Sequence, residues 1–245
     1  MSVAAPVTVR PEHRWPVLIA IAGAIALNAL MPASVQLVPA WILPAILALL
    51  VIPLVVFNPH RLSRETSWSR WLSVGIAALL ALVNQVTIVL TIGELLRGSA
   101  SGPDVLLTTL QVWVTNVIAF GLVYWELDRG GPVARRVVVA VDGSPADFRF
   151  VQDEPVAGTP WKPGFVDYAY FSLSTMMAFS PTDVMPLTHR AKLLMGYQAL
   201  TGFILLALVI SRAVNVLAWV ARQRVGRGSA HRRSESRKGR AVGLK

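Results

Sequence analysis

The chain has 245 residues, an apolar share of 54% and a mean hydropathy of +0.56, an excess beyond the usual soluble balance of apolar and charged residues. It contains no cysteine, which excludes disulfides, thiolate metal sites and cysteine nucleophiles. Of 23 lysines and arginines, nine lie beyond Val220 against Glu235 alone, so this stretch holds +8 of the net +10. The high pI therefore belongs to a tail rather than to the surface of a nucleic-acid-binding fold, and nucleic acid is not expected as a partner.

In chain order, residues 15–31 form the first apolar run, ended by Pro32. Residues 37–57 are the second, with Pro39, Pro44 and Pro53 inside it, which membrane spans tolerate because neighbouring groups re-satisfy the freed carbonyls. Residues 71–96 are the third run, 105–125 the fourth and 193–211 the last, with helix expected to continue to Val220. Each run can cross a hydrocarbon core of about 30 Å at ~1.5 Å per residue, the first only just. A signal peptide over residues 10–34 is the lesser reading of the first run, since the second follows closely.

The substantial polar region is 126–164. Residues 136–141, Asp142-Gly143 and 148–151 read as a β-hairpin turning at Asp-Gly, and Pro155, Gly158, Pro160 and Pro163 return the chain as a loop. Glu126, Asp128 and Arg129 suit a structural ion-pair cluster.

These elements predict an all-α, polytopic transmembrane bundle of five clear spans, with residues 165–181 as a sixth short crossing or a re-entrant segment. The predicted divisions are an N-terminal tail (1–14), a four-span bundle (15–125), the polar loop (126–164), a helical hairpin (165–221) and a disordered basic tail (222–245). Basic residues favour the cytoplasmic side. The tail, Arg10, Arg14, Arg61, Arg64 and Arg70 all ask to be inside, which a sixth crossing permits. The expectation is a multi-pass protein of the cytoplasmic membrane with the C-terminus inside and the tail on anionic lipid headgroups.

Two polar faces cross the apolar runs. Asn84, Thr87, Thr91 and Glu94 share one face of the third run, and Thr108, Gln111 and Thr115 share one face of the fourth. Such faces either bond across neighbouring helices or line a hydrated path, and Glu94 near the end of its run is the charged member. No catalytic grouping is apparent. His13, His60, His189 and His231 lie in tails or loops without ligand spacing, and no P-loop, Ser-His-Asp set or paired intramembrane carboxylates occur. No enzymatic activity, metal or cofactor is expected.

From Asp167 the chain reads Tyr170-Phe171-Ser172, Thr175, Asp183, Pro186-Leu187-Thr188 and then the last span with Gly202. This resembles the pore helix, filter and inner helix of the potassium-channel pore module, over about a fifth of the chain. The stretch also resembles an uncharacterised family of small bacterial integral membrane proteins, with an aromatic start, an apolar run and a Thr-Asp end. The channel resemblance implies an ion pathway along Thr175, Met176, Met177, Ala178, Phe179, Ser180, Pro181, Thr182 and Asp183, a hinge at Gly202, monovalent cations as permeants and a homo-oligomer. Where the channel family has Gly-Tyr-Gly, this chain has Ala178-Phe179-Ser180. Left-handed backbone costs such residues about 1–2 kcal/mol each, so rings of inward carbonyls are not expected. The pathway is then weakly selective or closed. The alternative is a structural or accessory membrane protein.

Overall fold

The computed structural model describes residues 12–13, 15–32, 39, 41–42, 45–47, 49, 67–97, 102–136, 146–153, 161–177, 184–211 and 214. They include the helices α1 (Trp15–Ala29), α2 (Ser67–Arg97), α3 (Gly102–Leu127), α4 (Phe165–Met176) and α5 (His189–Ser211). Strands β1 (Phe148–Phe150) and β2 (Val184–Pro186) form an antiparallel pair. Three helices are long and apolar enough to cross a membrane, within Arg70–Leu96, Leu106–Gly130 and His189–Ser211, while the apolar helix α1 is shorter. Most of the second apolar run, the first half of the predicted hairpin beyond Arg136 and the basic tail fall outside the described residues.

Apolar side chains on every face let α2 and α3 form long helices. Pro103 falls in the first turn of α3, where its missing N–H would be unpaired anyway. The helix ends at a reversal in which Arg129, Gly130 and Gly131 all take positive φ, at 50°, 78° and 103°. Two glycines make that turn easy, and the strain at Arg129 is held by its side chain, which bonds Asp153 and the Phe148 carbonyl.

The helices are ordered by what they touch. Ile88 of α2 clusters with Val112 of α3, and residues 98–101 join the two, so they run antiparallel. Glu12, just before α1, accepts a hydrogen bond from the Trp125 indole at the end of α3, while Met31 joins Val112 in its first half. Helices α1, α2 and α5 therefore begin at one end of the bundle and α3 finishes there.

A small cap is built on that end around Asp128, whose side chain is fully buried. One carboxylate oxygen accepts the backbone N–H groups of Asp147 (2.8 Å) and Phe148 (3.2 Å), and the other accepts the Tyr168 hydroxyl. Arg135 donates to the Trp125 carbonyl at 2.7 Å and lies over the Trp125 and Tyr168 rings. Asp147 in turn holds Thr188 and Arg190 at the start of α5. The cluster expected from Glu126, Asp128 and Arg129 is present in part: Arg129 pairs with Asp128 at 3.6 Å and with Asp153.

Residues 148–150 are a strand as predicted and pair with Val184–Pro186, and Arg136 lies in a 3-10 turn; residues 137–145 of the predicted hairpin lie outside the described residues. Of residues 165–181, predicted as a short crossing or a re-entrant segment, Phe165–Met176 form α4 and 178–181 lie outside the described residues. Helix α4 has 12 residues, about 18 Å of rise, against a hydrocarbon core of about 30 Å.

Candidate functional site

Helix α4 enters the bundle from the cap end. Its first N–H groups are met by carboxylates: Asp167 accepts from the Gly164 N–H at 2.7 Å and Glu12 accepts from the Phe165 N–H. Both satisfy otherwise unpaired donors and complement the positive end of the helix dipole. Close approach to α3 is made possible by Gly121, where an added Cβ would lie 3.2 Å from the Ala169 Cα.

A buried chain of hydrogen bonds then fixes the depth of α4. The Tyr124 hydroxyl donates to Gln198 Oε1 at 2.8 Å. Gln198 Nε2 donates to Ser172 Oγ at 2.7 Å, and Ser172 Oγ donates to the Val117 carbonyl at 2.8 Å. Three helices are tied, and Tyr124, Ser172 and Gln198 are each fully buried. Sequence reasoning quoted Ser172 only as part of a motif and missed Tyr124 and Gln198. A lone glutamine inside the last apolar run was the available signal.

The same contacts reveal direction. Ser172 meets Gln198, and Met176 lies against Gly202, both pairs 26 positions apart. Consecutive helices α4 and α5 are thus parallel, whereas two successive crossings joined as a hairpin are antiparallel. After descending along α3 to the level of Met176, the chain reappears at Val184 in the cap, paired with β1. It leaves by the end through which it came, so the helical hairpin predicted for 165–221 is replaced by a parallel pair. Gly202, singled out as a hinge, is the point of closest approach: an added Cβ would stand 3.1 Å from the Met176 carbonyl carbon and nearer its oxygen.

Of the predicted pathway, Thr175 and Met176 are buried on the inner side of α4 and Met177 is exposed. Residues Ala178, Phe179, Ser180, Pro181, Thr182 and Asp183 lie outside the described residues. Thr188 caps α5 by accepting the Ala191 N–H at 3.3 Å.

The two polar faces are brought together. Asn84, Thr87, Thr91, Thr108, Gln111 and Thr115 are all buried, and Glu94 is half-buried. Thr87, Thr91 and Thr115 do not bond across helices with their protons; each donates to the carbonyl four residues back in its own helix. Asn116, which the spacing did not flag, is buried as well. Asn84 and Asn116 are 2% and 0% exposed, and none of their four amide atoms has a hydrogen-bond partner among the described residues. Each orphaned amide atom costs about 1–3 kcal/mol.

On the cap, burial together with the nearby Arg129 guanidinium holds the Lys162 ammonium below its usual range. No group of three or more His, Cys, Asp or Glu suited to a metal occurs among the described residues. Comparison with known proteins finds no matching family model, no similar curated protein and no similar solved structure.

Proposed function

We propose that this is a multi-pass protein of the cytoplasmic membrane in which α4 and the seven residues after it form a re-entrant, pore-module-like element, passing monovalent cations with weak selectivity. The observation that carries this reading is the parallel run of α4 and α5 from one end of the bundle, with β2 back at that end. A second copy is part of the proposal, since one such segment cannot line a pore. Val166 and Tyr170 on α4 and Met177 just beyond it are exposed, and α5 is the least buried of the three long helices, at 22%.

In this arrangement the cap faces outward and the C-terminus is cytoplasmic. Arg10, Arg14, Arg61, Arg64 and Arg70 then lie outside, outweighed by the nine basic residues of the tail. Glu94 comes to the cytoplasmic end. Selection rests on the hydroxyls of Thr175, Ser180 and Thr182 and the charge of Asp183. Purified protein in liposomes should carry a cation flux that discriminates weakly between potassium and sodium and falls in Asp183→Asn. Absence of flux from a folded oligomer refutes conduction.

The second reading is a structural or accessory membrane protein. It is favoured by the Tyr124–Gln198–Ser172–Val117 chain, in which α4 is held as a strut by satisfied, buried bonds.

A further inference from the structure

One layer of the bundle collects polar groups from four helices. Tyr197 stacks on Phe120 with ring centroids 6.3 Å apart, and Leu205 clusters with Val112 and Ile88. Thr201 lies midway between Tyr197 and Leu205, so it stands level with Asn116, midway between Phe120 and Val112. The antiparallel pairing of α2 and α3 sets Asn84 at the same height. Thr175 joins them, because Met176 is against Gly202. Asn84, Asn116 and Thr201 each lie within two residues of the midpoint of Arg70–Leu96, Leu106–Gly130 and His189–Ser211. Helix α4 ends here, and its last turn presents carbonyl groups and the negative end of its dipole to this depth.

We infer that this layer is a binding site for a single monovalent cation within each subunit, at the middle of the bilayer. The Thr175 and Thr201 hydroxyls have given their protons to the Phe171 and Tyr197 carbonyls, so each presents only lone pairs. The amides of Asn84 and Asn116 have no hydrogen-bond partner among the described residues, so Asn84 Oδ1 and Asn116 Oδ1 are free acceptors. Neutral oxygens at the carboxyl end of an interrupted helix are the chemistry by which membrane proteins hold sodium-like ions at mid-depth. Asn84, Asn116, Thr175 and Thr201 bring no carboxylate, which argues against a divalent ion. The sign of the helix end argues against an anion. The inference rests on the bilayer placement and does not require conduction, so it is read by binding rather than flux.

The test uses detergent-purified full-length protein and radioactive sodium or rubidium at low ionic strength, with an organic cation replacing other salt. Saturable binding near one ion per chain is expected. Asn84→Leu combined with Asn116→Leu should weaken it at least tenfold, while Thr91→Val, away from the layer, should leave it unchanged. If the double variant fails to fold, Asn116→Asp provides the opposite sign: an added carboxylate should tighten binding about tenfold. No saturable binding by folded protein overturns the site, as does binding indifferent to all these changes. Oxidation of buried Met176 by hydroxyl radicals generated in situ, without ion binding, would assign the layer to water alone and also overturn the proposal.

Discussion

Adding one methyl group at Gly202 tests whether α4 lies against α5 as described. At Gly196, on the same helix, a new Cβ meets nothing within 4 Å, so Gly196→Ala should gain the helix propensity of alanine, about 0.5–1 kcal/mol. At Gly202 the same gain is opposed by a collision. The new carbon would lie 3.0 Å from the Met176 sulfur and 3.1 Å from its carbonyl carbon, where ordinary contact is about 3.5–4.0 Å. The sulfur can swing away, but the backbone carbonyl cannot, because the Ser172–Gln198 bond one turn earlier pins α4. Overpacking of this kind costs about 1–3 kcal/mol. The two variants should therefore differ by about 2 kcal/mol, or roughly 4–8 °C in melting temperature for a chain of this size. Thermal unfolding in detergent, followed by circular dichroism, measures the difference. If Gly202→Ala melts as high as Gly196→Ala, the α4–α5 contact is wrong and the parallel arrangement loses its main support.

Removing the Tyr168 hydroxyl, in Tyr168→Phe, should destabilise by about 1–3 kcal/mol by leaving a lone pair of buried Asp128 unmet, seen as a lower melting temperature. Asp128→Ala also strips the partners of two backbone N–H groups, so it should cost more and raise protease cleavage in the cap. The absence of native cysteine makes labelling simple. In intact cells an impermeant maleimide should reach Ser144→Cys but not Ser234→Cys, and the reverse result inverts the proposed orientation. A synthetic tail peptide should prefer anionic over neutral vesicles, by up to about 1 kcal/mol per basic residue near the surface; equal binding would remove the lipid partner.

Much of the helical framework was legible in the sequence because apolar length is a strong signal. The apolar run 71–96 lies inside Ser67–Arg97, run 105–125 inside Gly102–Leu127, and run 193–211 inside His189–Ser211. The direction of α4 was not legible. Its apolar character is that of a short crossing, and what reveals the return is the pairing of Phe148↔Pro186 and Phe150↔Val184, 34 to 38 positions apart. Three-residue strands carry no periodicity of their own. The polar layer was half legible: spacings of three and four marked Asn84 and Thr87, but Asn116 beside Thr115 and Thr201 among apolar neighbours fit no repeat. Only the packing of α2, α3 and α5 brings them level.

The hydrogen bond from the Phe165 N–H to Glu12 spans 153 positions of sequence, and that span imposes an order on biogenesis. The carboxylate that seats α4 is synthesised first and its partner comes after α1, α2 and α3. Until residue 165 emerges, α4 is missing from the bundle and the groove along Val117 and Gly121 is unfilled. Closure of the bundle is thus a late event dominated by long-range contacts, a class that forms slowly. Nascent chains stalled before residue 165 should be readily extracted from the membrane by mild denaturant, and chains stalled after Ser211 should resist it. Equal resistance of both would place closure earlier.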